Sequence, residues 1–242
     1  MSAVTWFGHS TTVVELDGTR ACTDPVLRRR VAHLVRDGAD FPASRLGKLD
    51  VVLVSHAHPD HLDARSLARL DRSVPVVVPR GAGRSVRRRG FGRVLEVAEG
   101  DGMRFGAVEV EVVHAEHGIV RGYDLSRSSA VGYVLRGKRS VYFAGDTDLF
   151  EAMRDLVPLQ VAVLPIDGWG PRVTAGHLDA RRAAEALRLL QPSIVVPVHW
   201  GTFRPVFATV RRSAPAEFVE EAAALAPEVA VRVLGLGETL AL

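Results

Sequence analysis

The stretch His56-Ala57-His58-Pro59-Asp60-His61 places three imidazoles and one carboxylate within six positions. It follows Asp50-Val51-Val52-Leu53-Val54-Ser55, an apolar and β-branched run that predicts a buried strand. Because Pro59 cannot continue a helix, we expect the cluster on the loop where this strand ends. Such a density of ligands indicates a metal site, and the alternative is a histidine-rich surface loop without catalysis. Histidines and carboxylates recur at fixed offsets further along the chain, which favours the metal site.

The composition predicts one domain over residues 1–242. The chain has 242 residues, 47% of them hydrophobic, and no Ser/Pro-rich linker divides it. It contains no apolar run of about 18 residues, so we expect no membrane insertion. The N-terminal residues lack the form of a signal peptide, and the single Cys22 excludes an internal disulfide and a Cys-rich zinc finger. We therefore expect a cytoplasmic protein.

The positive charge of the chain is a weak argument for nucleic-acid binding. The formal net charge is +3, and only two of the 31 basic residues are lysine. Arginine replaces lysine almost everywhere beside abundant alanine, valine and glycine, which is typical of a GC-rich genome. The arginine clusters at 28–30 and 84–93 are interpreted as a solvated face, and a phosphate-binding patch is the alternative.

The hydrophobic pattern alternates twice between β-rich and mixed stretches. The expected strands lie near 4–7, 11–16, 20–23, 51–55, 74–78, 108–113, 130–135, 140–144, 160–165, 193–198 and 229–234. The expected helices lie near 63–71, 81–89, 148–156, 179–190 and 214–225. Asp17-Gly18 predicts a tight hairpin turn, and Asp179 is placed as the N-cap of its helix. This order predicts an α/β protein of two similar halves, with two facing sheets and helices outside them.

Four motifs in order resemble the metal-binding motifs of the metallo-β-lactamase superfamily. They are the stretch 56–61, His114-Ala115-Glu116-His117-Gly118, Ala144-Gly145-Asp146-Thr147 and Val198-His199-Trp200-Gly201-Thr202. Together they cover nearly the whole chain. The resemblance implies a four-layer αββα sandwich with a dinuclear metal site at one edge.

The resemblance also implies the ligands and the chemistry. One metal ion would be held by His56, His58 and His117, and the other by Asp60, His61 and His199. Asp146 would bridge the two ions. Two divalent cations so placed would clamp a hydroxide that attacks the substrate, and would stabilise the charge that develops on the substrate oxygen. A histidine-rich site favours zinc, although carboxylate-containing sites also accept manganese or iron.

Two histidines compete for one ligand position. His114 falls within the alternating pattern of its strand, whereas His117 lies at the strand end before Gly118. We prefer His117, because metal ligands in this architecture collect at strand ends. His114 would then be a packed or hydrogen-bonded strand residue.

Further motifs resemble the branch of the superfamily that contains ascorbate-6-phosphate lactonase and N-acylphosphatidylethanolamine-hydrolysing phospholipase D. Thr5-Trp6-Phe7-Gly8-His9-Ser10-Thr11 and Thr23-Asp24-Pro25-Val26 carry this likeness. Asp24 is expected to accept a hydrogen bond from a ligand histidine, or alternatively to be a turn residue. His9 is expected to contact substrate or solvent in the cleft, or alternatively to bond the backbone at a strand end.

Gly176-His177-Leu178-Asp179 matches the same branch just before a helix N-terminus. His177 is expected to contact the substrate or to donate a proton to the leaving group, with a capping role as the alternative. His177 and Asp60 are therefore the candidate catalytic residues. Trp169 is placed on a loop that lines the pocket, and it is equally compatible with an ordinary core position. The loops 118–129 and 168–177 are expected to shape the pocket.

These features predict a metal-dependent hydrolase that acts on a phosphate ester or phosphodiester, or on a lactone or ester. The best-known β-lactamases of this superfamily have cysteine where Asp146 stands, so lactam hydrolysis is not expected. The substrate is expected to be small and anionic. A metal-dependent nuclease or nucleotide phosphodiesterase is the first alternative, and a non-catalytic metal-binding scaffold is the second. The natural substrate and the oligomeric state stay open.

Overall fold

The structure is a computed structural model that describes residues 2–38, 41–117, 130–168 and 176–242. The strands in these ranges are β1 Ala3–Trp6, β2 Thr12–Leu16, β3 Thr19–Thr23, β4 Arg30–Val31, β5 Leu34–Arg36, β6 Val51–Leu53, β7 Val76–Pro79, β8 Val94–Val97, β9 Gly102–Phe105, β10 Val108–His114, β11 Val131–Arg136, β12 Ser140–Phe143, β13 Val161–Pro165, β14 Ile194–Val198, β15 Phe203–Pro205, β16 Ala230–Val231 and β17 Thr239–Ala241. The α-helices are α1 Ala64–Leu67, α2 Gly83–Arg87, α3 Ala180–Leu190 and α4 Ala214–Leu225. Two 3₁₀ helices lie at Ala43–Leu46 and Glu151–Leu156.

Two large sheets repeat one plan. The first has the order β17-β1-β2-β3-β6-β7-β8, and the second has the order β16-β14-β13-β12-β11-β10-β9. In the first sheet, the antiparallel strands β1 to β3 continue into the parallel strands β6, β7 and β8. In the second, the antiparallel strands β9 to β12 continue into the parallel strands β13, β14 and β16. The expectation of two similar halves is confirmed.

Side chains alternate along the strands between an inner and an outer core. Val51 and Leu53 of β6 and Val161 and Val163 of β13 point into the cluster between the sheets, which contains residues of both. Their neighbours along each strand pack outward: those of β6 pack with Leu67 and Val86 of the helices, and those of β13 pack with α3 and α4. Helices therefore cover both outer faces, and the predicted four-layer αββα sandwich is confirmed.

The hairpin between β2 and β3 forms where the sequence predicts it. Asp17 and Gly18 have φ angles of +47° and +82°, which a type I′ turn requires at both central positions. The turn sets Leu16 opposite Thr19. Asp179 likewise caps α3, since its carboxylate accepts a hydrogen bond of 2.8 Å from the backbone N–H of Arg182.

Several expected elements are shorter than predicted. The helices expected near 63–71 and 81–89 are present only as the shorter α1 and α2. The last expected strand is present only as β16. The helix expected near 148–156 is present only over Glu151–Leu156, and it is a 3₁₀ helix. Val157 after it is extended, as a residue before proline prefers, and this stops the helix after six residues.

A third, small sheet was not predicted. Its strands have the order β15-β5-β4, and they enclose a cluster of Val26, Val31, Leu34 and Phe203. Two- and three-residue strands carry too little periodicity to be recognised, and β15 pairs with a strand far away in the chain. Within the described ranges, no helix combines the length and the apolar character that a bilayer span requires.

The parallel strands bring polar loops to one edge. Within each sheet, β3 runs parallel to β6, and β12, β13 and β14 run parallel to one another. Their carboxyl ends are followed respectively by Asp24, the cluster 56–61, Asp146, Asp167 and His199. Ligands of open α/β sheets bind outside the carboxyl ends of the strands, so this edge is the place to look for a site.

Candidate metal centre

Three histidines of the first predicted ligand set converge beyond β6 and β10. Nε2 of His56 lies 3.0 Å from Nδ1 of His58, and that same Nδ1 lies 3.3 Å from Nε2 of His117. Tetrahedral zinc holds nitrogen ligands at about 2.0–2.1 Å, which separates two such nitrogens by roughly 3.3 Å. The three ring nitrogens therefore have the spacing of ligands around one ion.

His117, and not His114, lies in this cluster. His117 Nδ1 donates a hydrogen bond of 2.8 Å to the carbonyl oxygen of Gly176, which leaves its Nε2 to face the other histidines. His114 instead lies near the surface, where its ring contacts Glu99 at 3.0 Å and Glu116 at 3.3 Å. The structure thus places in the cluster the histidine that the sequence analysis prefers.

A second group of ligand atoms lies next to the first. Ligand atoms of Asp60, His61 and His199 come within 4.8 Å of one another, and His9 belongs to the same group. The four residues are buried, with at most 8% of the surface of any one exposed. These are the residues predicted for the second ion, with His9 in addition.

Asp146 lies between the two groups. Its Oδ2 is 3.9 Å from Nε2 of His56 and 3.2 Å from Nε2 of His61. Its Oδ1 is 3.2 Å from Nε2 of His199. One carboxylate oxygen therefore faces both groups and the other faces the second, which is the arrangement that a bridging ligand needs.

Oxygen acceptors set the orientation of the second group's imidazoles. His61 Nδ1 lies 2.7 Å from Oδ2 of Asp24, and His199 Nδ1 lies 2.9 Å from the carbonyl oxygen of Asp167. A carbonyl oxygen only accepts, so Nδ1 of His199 carries a proton and Nε2 is the ring nitrogen that faces the cluster. Such partners fix the tautomer and raise the basicity of metal-binding histidines.

Asp24 is itself fully buried and tightly held. It accepts hydrogen bonds from the backbone N–H of Ser55 at 2.7 Å and from the Ser55 hydroxyl at 2.6 Å. The same hydroxyl lies 3.0 Å from Nδ1 of His56. Asp24 and Ser55 therefore connect one histidine of each group.

The electrostatics of the site favour ionised carboxylates. Burial by itself raises the pKa of Asp146, but attraction to His199 and His61 outweighs it and holds that pKa well below the usual range. Burial likewise raises the pKa of Asp60, and attraction to His61 with a hydrogen bond from His9 reverses the shift. Both groups are therefore anionic at neutral pH, as metal binding requires.

The imidazoles divide into two kinds. Burial lowers the pKa of His56 well below its ordinary value, and it also lowers the pKa values of His58 and His117. These three side chains are therefore neutral at pH 7, the form that a metal ion binds. Burial also opposes the charge of His61, but attraction to Asp146 and the neighbouring aspartates raises its pKa well above the ordinary value. The second group thus attracts positive charge, which a divalent cation supplies.

Two buried atoms test whether a metal fits. Among the described residues, Nε2 of His61 and Oδ1 of Asp146 are buried and each has a polar neighbour at 3.2 Å, but neither makes a hydrogen bond of normal geometry. Buried polar atoms are normally satisfied, so these two need an explanation. Both face into the cluster, and both are atoms that a divalent cation would take as ligands. The residues present therefore fit a metal centre.

Comparison with known proteins identifies the family. The family model described as a β-lactamase superfamily domain matches residues 19–200. The chain belongs to this superfamily. The superfamily predicted from the four motifs is thereby confirmed.

Relatives of the protein include hydrolases. The chain is 32% identical to a UPF0173 metal-dependent hydrolase of Methanopyrus kandleri, over 98% of each sequence. It is 29% identical to N-acyl-phosphatidylethanolamine-hydrolyzing phospholipase D 1 of Caenorhabditis elegans, over 82% of this chain and 64% of that protein. The structure of Igni18, a metallo hydrolase of Ignicoccus hospitalis, matches with a TM-score of 0.75 and 28% identity over 99% of this chain and 97% of that one. The branch predicted from the sequence agrees with these relatives.

The sequence also predicts three residues near the substrate: His177, His9 and Trp169. His177 is buried before α3, and its Nε2 lies 3.4 Å from Oδ2 of Asp146. His9 is only 1% exposed, and its Nε2 lies 3.1 Å from Oδ2 of Asp60, so it occupies the interior and not the solvent-facing cleft. Trp169 lies outside the described residues, as does most of the two loops expected to shape the pocket.

Backbone strain marks the same place. His9, Asp24 and His199 have φ angles of +52°, +36° and +62°. The left-handed region is uncommon for residues other than glycine, and such strain concentrates at functional sites. Each of the three follows a strand end, where the chain turns sharply to aim a side chain into the cluster.

Sequence reasoning missed residues that hold the candidate ligands in place. Asp148 accepts a hydrogen bond from the N–H of Gly176 at 3.2 Å, and Gly176 in turn holds His117. Ser55 and Asp167 act on His56 and His199 as described above. All three follow strands that lead to the site, and this position is the signal by which they were recognisable.

Proposed function

We propose that this protein is a hydrolase that binds two divalent cations and cleaves a small anionic substrate, a phosphate ester or phosphodiester, or a lactone or ester. The observation that carries the proposal is the position of Asp146 between two groups of ligand atoms. The relatives named as metal-dependent hydrolases support the reaction class.

The ligand sets would be divided between the two cations. His56, His58 and His117 would hold one, Asp60, His61 and His199 would hold the other, and Asp146 would contact both. Zinc suits this mainly imidazole set, and the two carboxylates also suit manganese or iron. When bound, the two ions would supply a water-derived nucleophile at neutral pH and would offset negative charge on the substrate oxygen.

The side chains of the site perform the remaining tasks. Asp60 and Asp146 lower the net charge of the bound pair, so that the site binds cations without an excess of positive charge. Asp24 and Asp167 hold the imidazoles of His61 and His199 in a fixed orientation, which avoids reorganisation during turnover.

His177 is the proposed contact to the leaving group. It precedes the N-terminus of α3, where the helix dipole favours an anionic substrate group. Its Nε2 faces Asp146, so a proton on this nitrogen lies beside the candidate centre. We assign it the transfer of that proton to the departing oxygen.

A neighbouring cavity supports a small anionic substrate. The cavity has a volume of about 200 Å³, and its lining includes His199, Trp200, Phe203, Arg204 and Arg211. The aromatic and apolar groups would accept the carbon part of a substrate. The guanidinium of Arg204 would attract a phosphate or carboxylate, whereas that of Arg211 is already paired with Asp167 and Glu217.

The test is hydrolysis of bis(p-nitrophenyl) phosphate by zinc- or manganese-loaded protein beside Asp146→Ala. We expect turnover in the parent protein and none above background in the variant, because removing the shared carboxylate disrupts both ligand groups. Lactones and carboxylic esters are assayed in parallel. Full metal occupancy without hydrolysis of any of these substrates would contradict the proposal and favour a non-catalytic metal-binding scaffold.

His177→Ala tests the proton transfer. We expect the turnover number to fall about 10²–10⁴-fold for a diester with an alkyl leaving group, the usual range for losing a general acid. The bound metal should be unchanged. With p-nitrophenolate, which leaves without a proton, the loss should be much smaller. Equal losses for both leaving groups would contradict the role.

A further inference from the structure

The turn between β1 and β2 carries a histidine that no part of the proposed mechanism uses. Residues Phe7 to Thr11 reverse the chain, with hydrogen bonds from Phe7 N to Thr11 O at 2.9 Å and from Thr11 N to Gly8 O at 3.0 Å. Gly8 has a φ angle of +99°, and a Cβ there would lie 2.9 Å from both Arg36 Nη1 and Thr202 Cγ2. The turn is therefore closely packed at Gly8.

The backbone of His9 is fastened to the turn that carries His199. The His9 N–H donates to Oγ1 of Thr202 at 2.7 Å. The His9 carbonyl accepts from the N–H of His199 at 3.0 Å and from the Trp6 indole N–H at 2.8 Å. Two strand ends from opposite sheets are thereby tied together through one residue.

The side chain of His9 reaches the candidate second cation position. Its Nε2 lies 3.1 Å from Oδ2 of Asp60, and its ring centroid is 4.0 Å from that of His199. The edge of the ring packs against Phe203 at 5.3 Å between centroids. Because the backbone and the ring are both held, the Nε2 atom has a fixed position relative to Asp60.

We propose that His9 is a positioning residue that aims the Asp60 carboxylate at the second cation. This inference rests on the two-cation centre proposed above. An ionised carboxylate only accepts hydrogen bonds, so Nε2 of His9 must be the donor in this pair. The bond occupies one lone pair of Asp60 and leaves the others for the cation. The contact with His199 keeps a second ligand at a set distance from the first.

Without this donor the Asp60 carboxylate would lose its fixed direction. Asp60 lies on the loop after β6, directly after Pro59, and its side chain is 11% exposed. The carboxylate of a His9→Ala variant could turn towards water. Removing such a partner typically weakens metal binding 10–100-fold.

The experiment measures cobalt(II) binding by chelator competition and by visible absorption, with no substrate present. The parent protein should bind two equivalents. In His9→Ala, one equivalent should bind about 10–100-fold more weakly, while the other keeps its affinity. His114→Ala is the control, because that histidine lies near the surface beside Glu99 and Glu116, and it should bind as the parent does.

Two conservative variants separate positioning from packing and from direct ligation. The amide nitrogen of His9→Gln reaches the place of Nε2 and should restore binding of the second equivalent with an unchanged cobalt spectrum. The shorter His9→Asn reaches only the place of Nδ1 and should behave like the alanine variant. If His9→Ala binds both equivalents as tightly as the parent, the inference is overturned.

The remaining outcomes also decide the question. A His9→Gln variant that folds but loses the second equivalent, or that shifts the cobalt bands, would overturn positioning and indicate that His9 itself is a ligand. If His9→Ala does not fold, the glutamine and asparagine pair carries the test alone. A parent protein that binds no cobalt would instead contradict the two-cation centre on which the inference rests.

Discussion

At the scale of single residues, one hydrogen bond per imidazole decides which nitrogen is available. His117 and His199 donate from Nδ1 to backbone carbonyls, and His61 lies with its Nδ1 against Asp24. All three therefore present Nε2 to the cluster. The acceptors come from loops far away in the chain. The motifs supply the histidines, but only tertiary folding sets the orientation of their rings.

The pair His114 and His117 gives the sharpest test at this scale. His117→Ala should lose about one equivalent of bound metal, because only two nitrogens of its group remain. His114→Ala should retain both equivalents, since its ring lies 3.0 Å from Glu99 and away from the cluster. The measurement is the metal content of dialysed protein by atomic emission. Equal metal content in the two variants would refute the assignment.

At the scale of elements, the residues of the candidate site lie where strands end and where helix α3 begins. The predicted strands agree with the structure where apolar residues run for four or more positions, because burial on both faces fixes such segments. The helices α1 and α2 lie where helices were expected, but they are shorter than expected. The third sheet was missed since its strands have two or three residues and β15 pairs with the distant β5.

Helix α3 is the element whose N-terminus carries His177. Its cap is the Asp179 carboxylate, which accepts the backbone N–H of Arg182 at 2.8 Å. We expect Asp179→Ala to lower the free energy of unfolding by about 1 kcal/mol, the usual cost of losing an N-cap. Urea unfolding followed by circular dichroism measures it. Arg181→Ala is a suitable control, since its side chain is exposed and pairs only with Glu185 among the contacts described. A cap variant as stable as this control would argue against the capping role.

At the scale of the whole molecule, the two halves share one inner core. The cluster between the sheets contains Val14 and Leu53 from the first sheet and Tyr133 and Phe143 from the second. The candidate ligands also come from both halves. We therefore propose that the chain unfolds as one domain, with the metal centre as a link between its halves.

Metal removal should therefore lower stability throughout the molecule. A ligand that binds only the folded state at 100 times its dissociation constant stabilises that state by about 2.7 kcal/mol. We expect zinc to raise the melting temperature and a chelator to lower it, with tryptophan fluorescence and far-ultraviolet circular dichroism changing together. Separate transitions for the two probes would show that the halves unfold independently. The same scan on Asp146→Ala should show a much smaller effect of zinc.

The sequence by itself determined the family, the layered fold and the list of candidate ligands. Those features depend on local pattern: apolar strands, histidines and aspartates just beyond them, and a proline that keeps the first cluster out of a helix. Only the tertiary structure decided that His117 and not His114 joins the cluster, and that His9 contacts Asp60 from 51 positions away. It alone also showed that Asp167 contacts His199 and that Asp148 contacts Gly176, which holds His117. Contacts between distant strand ends depend on how the two sheets are stacked. The local periodicity of a strand shows which face of its sheet a residue lies on, but not which residues of the other sheet it meets.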